Sequence, residues 1–286
     1  MGMPYMRQPL VAAIVLVPGK AGMAVPFDFC VDALSETDSD GMAPSQGCSL
    51  SGGTGEGTGM LTGSDTRVVT RDGRQYVVQN NVWNGNPNNQ TLSISGVAFT
   101  VTQQSNSAGT SGPPSSYPSV FIGSNFGHAT SGSGLPRRVS ALSSVQTGWR
   151  WSGGNGTYNA AYDVWFSTGE NGDSGTPSGG YLMVWFARSG VQPLGSPTGT
   201  VSIGGRSWQG WTCPGGCQNG VPVISYIPPS GSISEWSFDL NDFIQNAVDQ
   251  FGIIRSEWYL SNVFAGFEIW SGGMGLRTEN FCAVVQ

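Results

Sequence analysis

The chain has few charged residues, and its basic residues are both rare and scattered. Lysine and arginine supply only 12 of the 286 residues, the net charge is −6, and Lys20 is the only lysine. Because nucleic-acid binding needs a clustered cationic surface, we expect no nucleic-acid partner. The single histidine, His128, leaves too few ligands for a zinc site, and the residues around it lack a nucleophile-elbow pattern. We therefore expect neither a metal ion nor a cofactor.

Long hydrophobic runs are missing after the first residues of the chain. The apolar run from Leu10 to Val17 is too short to span a bilayer. Arg7 precedes this run, and the small residues Gly22 and Ala24 follow it. This arrangement is typical of an export signal. Residues 1–24 are thus predicted to be a signal peptide, with a disordered start as the alternative, and we expect a secreted, extracellular protein without a membrane span.

The five cysteines agree with export, because disulfides persist in oxidising compartments. Cys213 and Cys217 flank a tight Pro-Gly-Gly loop that a disulfide could close. Cys30 and Cys48 could pair as well, which would leave Cys282 unpaired.

The composition favours strands over helices. Glycine supplies 44 residues, and only 10% of the chain is charged, whereas residues 25–63 read as a low-complexity, loosely ordered segment. Residues 64–286 are predicted to form one all-β domain, a sandwich or barrel, because short apolar runs alternate with turn residues there. The predicted strands are Gln75–Asn80, Val97–Gln103, Ser119–Ile122, Ala160–Ser167, Tyr181–Ala187, Gly199–Ile203, Val221–Ile227 and Ala265–Ile269.

One helix is predicted at about residues 239–252, packed on the outside of the sandwich. Apolar residues recur there at helical spacing. Asp239 is expected to cap the start of this helix and Gly252 to end it. The apolar positions are Leu240, Phe243, Ile244, Ala247, Val248 and Phe251.

Strand alternation separates a core-facing set of side chains from a set that suits sugar binding. Tyr181, Met183 and Trp185 share one face of their strand, because alternate side chains point the same way. An aromatic ring, a thioether and an indole together suit a face that lines a sugar, since a pyranose stacks on aromatic rings. The other face of this strand carries ordinary core residues, namely Leu182, Val184 and Phe186.

Two acids occupy comparable positions in other strands. Glu268 and Trp270 share one face of their strand, whereas Phe267 and Ile269 face the core, and Trp270 is a further predicted sugar-binding residue. Asp163 shares a face with Trp165. In a partly desolvated cleft the pKa of Glu268 should rise, which favours a general acid. The alternative for each acid is a structural, hydrogen-bonded carboxylate. Trp83 is either a stacking platform or a core residue.

The chain from about Tyr76 to Gln286 resembles glycoside hydrolase family 12, the compact endo-β-1,4-glucanases and xyloglucanases. Seven stretches occur in the family's order. They are Tyr76–Trp83, Ser116–Phe121, Gly134–Arg138, Tyr158–Trp165, Val191–Gly195, Glu257–Leu260 and Gly266–Trp270.

This resemblance implies a β-jelly-roll of two curved antiparallel sheets with a long cleft that binds β-1,4-glucan, and we expect a monomer. It implies that Glu268 is the acid/base of a retaining mechanism and that Asp163 assists the nucleophile. It also implies a set of sugar-binding and cleft-lining residues, namely Asn81, Trp83, Met183, Trp185 and Pro193.

The nucleophile position departs from the family pattern. The family has Glu-x-Met-x-Trp there, and this chain has Tyr181 before Met183 and Trp185. One hypothesis is an endoglucanase-like hydrolase, with Asp163 as base on a water molecule or with Tyr181 attacking directly. A second is a β-glucan-binding protein with impaired catalysis. A third reading is that Tyr181 replaces the natural protein's residue.

Overall fold

The computed structural model describes residues 47–172 and 175–286. The signal peptide predicted for residues 1–24 and Cys30 lie outside this part of the chain. Two large, mainly antiparallel sheets make up most of the fold. The predicted all-β jelly roll is therefore confirmed.

The smaller sheet has six strands, in the order β1-β4-β5-β17-β9-β15. Their bounds are β1 Thr58–Thr62, β4 Gln90–Ser95, β5 Ala98–Gln104, β9 Val145–Ser152, β15 Glu235–Asp239 and β17 Arg277–Val285.

The larger sheet has eleven strands, of which nine form the path β12-β13-β14-β11-β10-β16-β6-β3-β2. Strand β7 pairs with β6, and β8 pairs with β16. Their bounds are β2 Thr66–Arg71, β3 Arg74–Gln79, β6 Ser119–Asn125, β7 His128–Ala129, β8 Arg137–Arg138, β10 Gly156–Ser167, β11 Gly180–Ser189, β12 Ser196–Ile203, β13 Arg206–Gln218, β14 Val221–Ile227 and β16 Tyr259–Gly272. Each of the eight predicted strands overlaps one of the observed strands.

The main hydrophobic core draws alternate side chains from both sheets. Trp149 of the smaller sheet packs against rings of the larger one, and full burial of such rings contributes about 1.5–3 kcal/mol each. The core-facing positions predicted from alternation, on β11 and β16, belong to this cluster. They are Leu182, Val184, Phe186, Phe267 and Ile269.

The single α-helix of the described residues, α1, runs from Asn241 to Asp249 and is shorter than predicted. Asp239 accepts the backbone N–H of Asn241 at 2.9 Å, so its side chain supports the first turn as expected. Gly252 has a φ of +62°, a left-handed conformation that ends the chain's helical path. Within the part of the chain that the structure describes, no helix has the length and apolar character needed to cross a membrane.

The smaller sheet begins before residue 64. Its strand β1 lies inside residues 25–63, which were expected to be loosely ordered. It pairs with β4 along all five of its residues. The chain just before it is fixed to β17, where the Asn280 side chain donates to the carbonyls of Leu50 and Gly52.

The pairing suggested for Cys30 and Cys48 is wrong, because Cys48 is bonded to Cys282. The two residues are 234 positions apart in sequence, and only the docking of the N-terminal segment on β17 brings them together. The predicted disulfide between Cys213 and Cys217 is confirmed. It closes a bulge in β13, whose pairing with β14 jumps from Cys213 to Gln218.

A Cys48→Ser/Cys282→Ser double variant is expected to lower the free energy of unfolding by about 2–4 kcal/mol, because the long loop that the bond closes gains entropy in the unfolded chain. Urea denaturation without reductant measures the difference. The matched control is Cys213→Ser/Cys217→Ser, whose residues are only 4 positions apart and whose loss should be smaller. A larger loss in the control would contradict this account.

Candidate active site

The face of the eleven-stranded sheet that points away from the main core is called the outer face here. The alternation predicted from the sequence is confirmed, since Met183, Trp185 and Trp270 pack in one small cluster and Tyr181 in another, both apart from the main core. Residues of the outer face come from distant parts of the chain. The outer face carries the apolar residues Val77, Tyr117, Phe121, Ala161, Met183, Trp185, Val223, Phe264 and Trp270.

Glu268 lies on β16, directly opposite Asn159 of β10. The Asn159 amide nitrogen donates to the Glu268 carboxylate, and the amide oxygen accepts the backbone N–H of Glu268 at 3.2 Å. Burial raises the pKa of Glu268 to about 8, and the negative charge of Asp163 adds to this rise. The hydrogen bond from Asn159 acts in the opposite direction. Glu268 is therefore mainly protonated at neutral pH, as a general acid must be.

Asp163 is the second acid of the outer face, and it is only 8% exposed. The Trp165 indole nitrogen donates to its Oδ2 atom at 2.8 Å. Its Oδ1 atom is buried and has no hydrogen-bond partner among the described residues. Burial raises the pKa of Asp163 to about 7, although the bond from Trp165 opposes the rise. Asp163 therefore has one oxygen ready to accept a proton.

Tyr117 is a buried neighbour of the two carboxyl groups. Its hydroxyl donates to the carbonyl of Ala161 at 2.9 Å. Burial raises the pKa of Tyr117, and the charges of Asp163 and Glu268 add to this rise. Because Asp163 also raises the pKa of Glu268, the two acids are electrostatically coupled. A coupled pair of this kind is typical of acid/base chemistry, in which one carboxyl stays protonated while the other ionises.

Tyr181 is almost completely buried, with 1% of its surface exposed. Its hydroxyl oxygen accepts a hydrogen bond from the Asn219 amide at 2.7 Å. Burial raises the pKa of Tyr181 to about 12, and the charge of Asp163 contributes to the rise. At pH 7 this pKa leaves roughly one phenol in 10⁵ ionised. The side chain is therefore held as a neutral phenol.

Trp83 is the exposed member of the predicted sugar-binding residues, at 54% exposure. Its backbone N–H donates to Ser115, whose own N–H donates to Ile269 beside Glu268. Asn81, which is partly buried, adopts a left-handed φ of +47°. The structure thus brings this segment next to the strand that carries the acid.

The other predicted sugar-binding residues are buried. Met183, Trp185 and Trp270 are each less than a tenth exposed, and Pro193 is buried in the loop after β11. The Trp270 indole donates to the carbonyl of Gly112 at 2.9 Å. The Trp185 indole nitrogen has no partner among the residues that the structure describes. Their predicted contact with sugar remains a prediction.

Sequence reasoning missed three residues of this site. Asn159 could have been found, because alternation along β10 places it on the face of Asp163. Tyr117 and Asn219 lie on elements far away in sequence, and only the sheet topology brings them to Glu268 and Tyr181.

Two carboxyl groups on one face of a β-sheet are the chemical groups that most glycoside hydrolases use. The model of Glycosyl hydrolase family 12 matches residues 74–286, and the chain belongs to this family.

Three similar proteins illustrate the relationship. The Mycobacterium tuberculosis protein named "Probable cellulase Cel12b" is 32% identical over 162 residues, which cover 54% of this chain and 99% of that protein. Endoglucanase A of Aspergillus kawachii is 36% identical over 154 residues, covering 52% of this chain and 63% of that protein. The structure of endoglucanase cel12A from Rhodothermus marinus is 38% identical, with a TM-score of 0.72, covering 80% of this chain and 99% of that one.

Proposed function

We propose that the protein is a secreted β-1,4-glucan hydrolase of the endoglucanase class, in which Glu268 is the general acid and Asp163 the general base. The observation that carries this proposal is the unpartnered Oδ1 atom of Asp163, on a carboxyl coupled to that of Glu268. Glu268 protonates the leaving oxygen of the glycosidic bond. Asp163 takes a proton from a water molecule that attacks the anomeric carbon.

Asp163, rather than Tyr181, is the base in this proposal. Tyr181 accepts a hydrogen bond from Asn219 and has a pKa of about 12, so it is a weak nucleophile at neutral pH. A water route inverts the anomeric configuration, whereas a glutamate nucleophile retains it. The departure at Tyr181 therefore changes the expected stereochemistry of the family reaction.

The substrate class rests on the relatives and on the outer face. Relatives of this chain carry the names endoglucanase and xyloglucan-specific endo-β-1,4-glucanase. Trp83 offers an exposed indole for stacking on a sugar ring, and Asn81 an amide for sugar hydroxyl groups. The buried residues Met183, Trp185, Pro193 and Trp270 form the floor below the glucan. We further propose that the protein acts as a monomer.

A second function, β-glucan binding without hydrolysis, is favoured by the environment of Tyr181. A phenol fixed by Asn219 has replaced the family nucleophile, while the aromatic groups that suit sugar binding remain. Loss of a nucleophile lowers rates by several orders of magnitude when no other group takes its place.

The two functions are separated by a pH–rate profile on barley β-glucan. The rate should rise as Asp163 ionises near pH 7 and fall as Glu268 loses its proton near pH 8, which gives a maximum between these values. Proton NMR of the first product should show the inverted, α-configured reducing end.

Each alternative has its own outcome in this experiment. No turnover at any pH, with β-glucan still bound, would establish the binding function. A β-configured product would contradict the water route while leaving the hydrolase intact. Carboxymethylcellulose and xyloglucan, measured beside barley β-glucan, identify the preferred polymer.

A further inference from the structure

We propose that Phe126 is a second sugar-stacking platform, which binds a glucosyl unit beside Trp165. This inference rests on the proposed function, since the ligand is the same β-1,4-glucan. Nothing in the sequence pattern marks Phe126, because it lies in the turn between two strands.

The backbone conformation of this turn is unusual for a phenylalanine. Asn125 pairs with His128, so Phe126 and Gly127 form a two-residue hairpin loop between β6 and β7. Both loop residues have positive φ values, +43° and +84°. Such loops strongly prefer Asn or Gly at the first position, and a bulky side chain there is an outlier. Unfavourable residues of this kind concentrate at functional sites.

The Phe126 ring is exposed to solvent and is held by neighbouring residues. Phe126 is 58% exposed, although a phenyl group gains free energy from burial. It meets the Trp165 ring edge-to-face, with centroids 6.2 Å apart. A Cβ atom at Gly175 would lie 3.2 Å from the Phe126 ring, so this backbone also borders it. The ring is therefore held in place while a large part of it stays open to a ligand.

Trp165 connects the Phe126 ring to the two acids. Trp165 donates to Asp163 at 2.8 Å and also packs against the Tyr181 ring, with centroids 5.7 Å apart. Phe126 is therefore connected to Asp163 through Trp165. An aromatic ring recognises the apolar C–H face of a neutral pyranose, which matches a glucan and needs no charged partner.

Phe126 and Trp83 lie at different positions along β16. The strand before Phe126 pairs with β16 at Asn262, whereas the segment of Trp83 joins β16 near Ile269. These positions are seven residues apart, about 23 Å along the strand. Both acids lie between them, because Asp163 is opposite Phe264 on β16. The two exposed rings therefore serve glucosyl units on different sides of the acids.

The test uses Phe126→Asn, which removes the ring but supplies a residue that this turn prefers. Binding of cellohexaose is measured by calorimetry in a Glu268→Gln background, in which turnover is slow. We expect the Kd to rise about 5–20-fold in Phe126→Asn and to change less than about twofold in Phe126→Tyr. The melting temperature of Phe126→Asn should stay equal or increase, because the backbone strain is relieved.

The matched control is Met60→Ala, which removes an exposed apolar side chain from the other sheet and should leave the Kd unchanged. An unchanged Kd in Phe126→Asn overturns this inference but leaves the proposed function intact. A change of oligomeric state with an unchanged Kd also overturns it and assigns the ring to a protein–protein contact. A higher Kd together with a lower melting temperature also overturns the inference, because the ring would then stabilise the fold. Absence of binding in the Glu268→Gln background itself overturns the proposed function.

Discussion

A Tyr181→Glu variant is expected to hydrolyse barley β-glucan at least about 10²-fold faster than the unaltered protein. The change places a carboxylate before Met183 and Trp185, at the position that the sequence resemblance assigns to the family nucleophile. Asn219 already donates a hydrogen bond at this position, and the new carboxylate would accept it. The product should change from the α to the β configuration, because a covalent intermediate replaces direct attack by water.

Two control variants separate the effect of the new negative charge from the effect of the change in side-chain volume. Tyr181→Gln makes a similar change in volume without a carboxylate, and it should not gain activity. Tyr181→Phe keeps the ring and removes the hydroxyl, so its rate should equal that of the unaltered protein if Asp163 is the base. A complete loss of rate in Tyr181→Phe would instead identify the phenol as the nucleophile. Initial rates and product NMR distinguish these outcomes.

Glu268→Gln is expected to lower the hydrolysis of β-glucan by about 10²–10⁴-fold, the usual contribution of a general acid. Glutamine accepts the bond from Asn159 but has no proton of suitable pKa to donate. The loss should be much smaller for an aryl cellobioside with a good leaving group, because such a group departs without protonation. Comparing the two substrates therefore reports the acid role itself.

The matched control for Glu268→Gln is Glu257→Gln, an exposed glutamate 3.9 Å from Arg255. Its rate and stability should be close to those of the unaltered protein, since exposed ion pairs contribute little. If Glu268→Gln lowered the rate equally on β-glucan and on the aryl cellobioside, Glu268 would have a positioning role instead. An unchanged rate on β-glucan would remove Glu268 from the mechanism.

Strand alternation was the part of the sequence that predicted the site best. The period of two placed Glu268 and Asp163 away from the core, and both are found on the outer face. Alternation works here because each strand buries one face in the main core. It gives no information on how exposed a side chain outside the core is. It therefore could not predict that Trp83 is exposed whereas Trp270 is buried.

Contacts between residues that are far apart in the chain could not be predicted from the sequence. Cys48 has a nearer cysteine at position 30, yet it pairs with Cys282, because the N-terminal segment docks on β17. Asn219 reaches Tyr181 only because β11 and β14 lie side by side. Such neighbours follow from sheet order, for which the local pattern holds no signal.

Burial of the two acids also links the reaction to the stability of the fold. The pKa values of Asp163 and Glu268 are raised to about 7 and about 8, above their values in an unfolded chain. The folded protein therefore binds protons more tightly, and its free energy of unfolding falls as the pH rises from about 4 towards these values. At acid pH the protein is more stable, but Asp163 is protonated and cannot act as a base. At the pH between about 7 and 8 that suits the reaction, the fold has lost part of this stability.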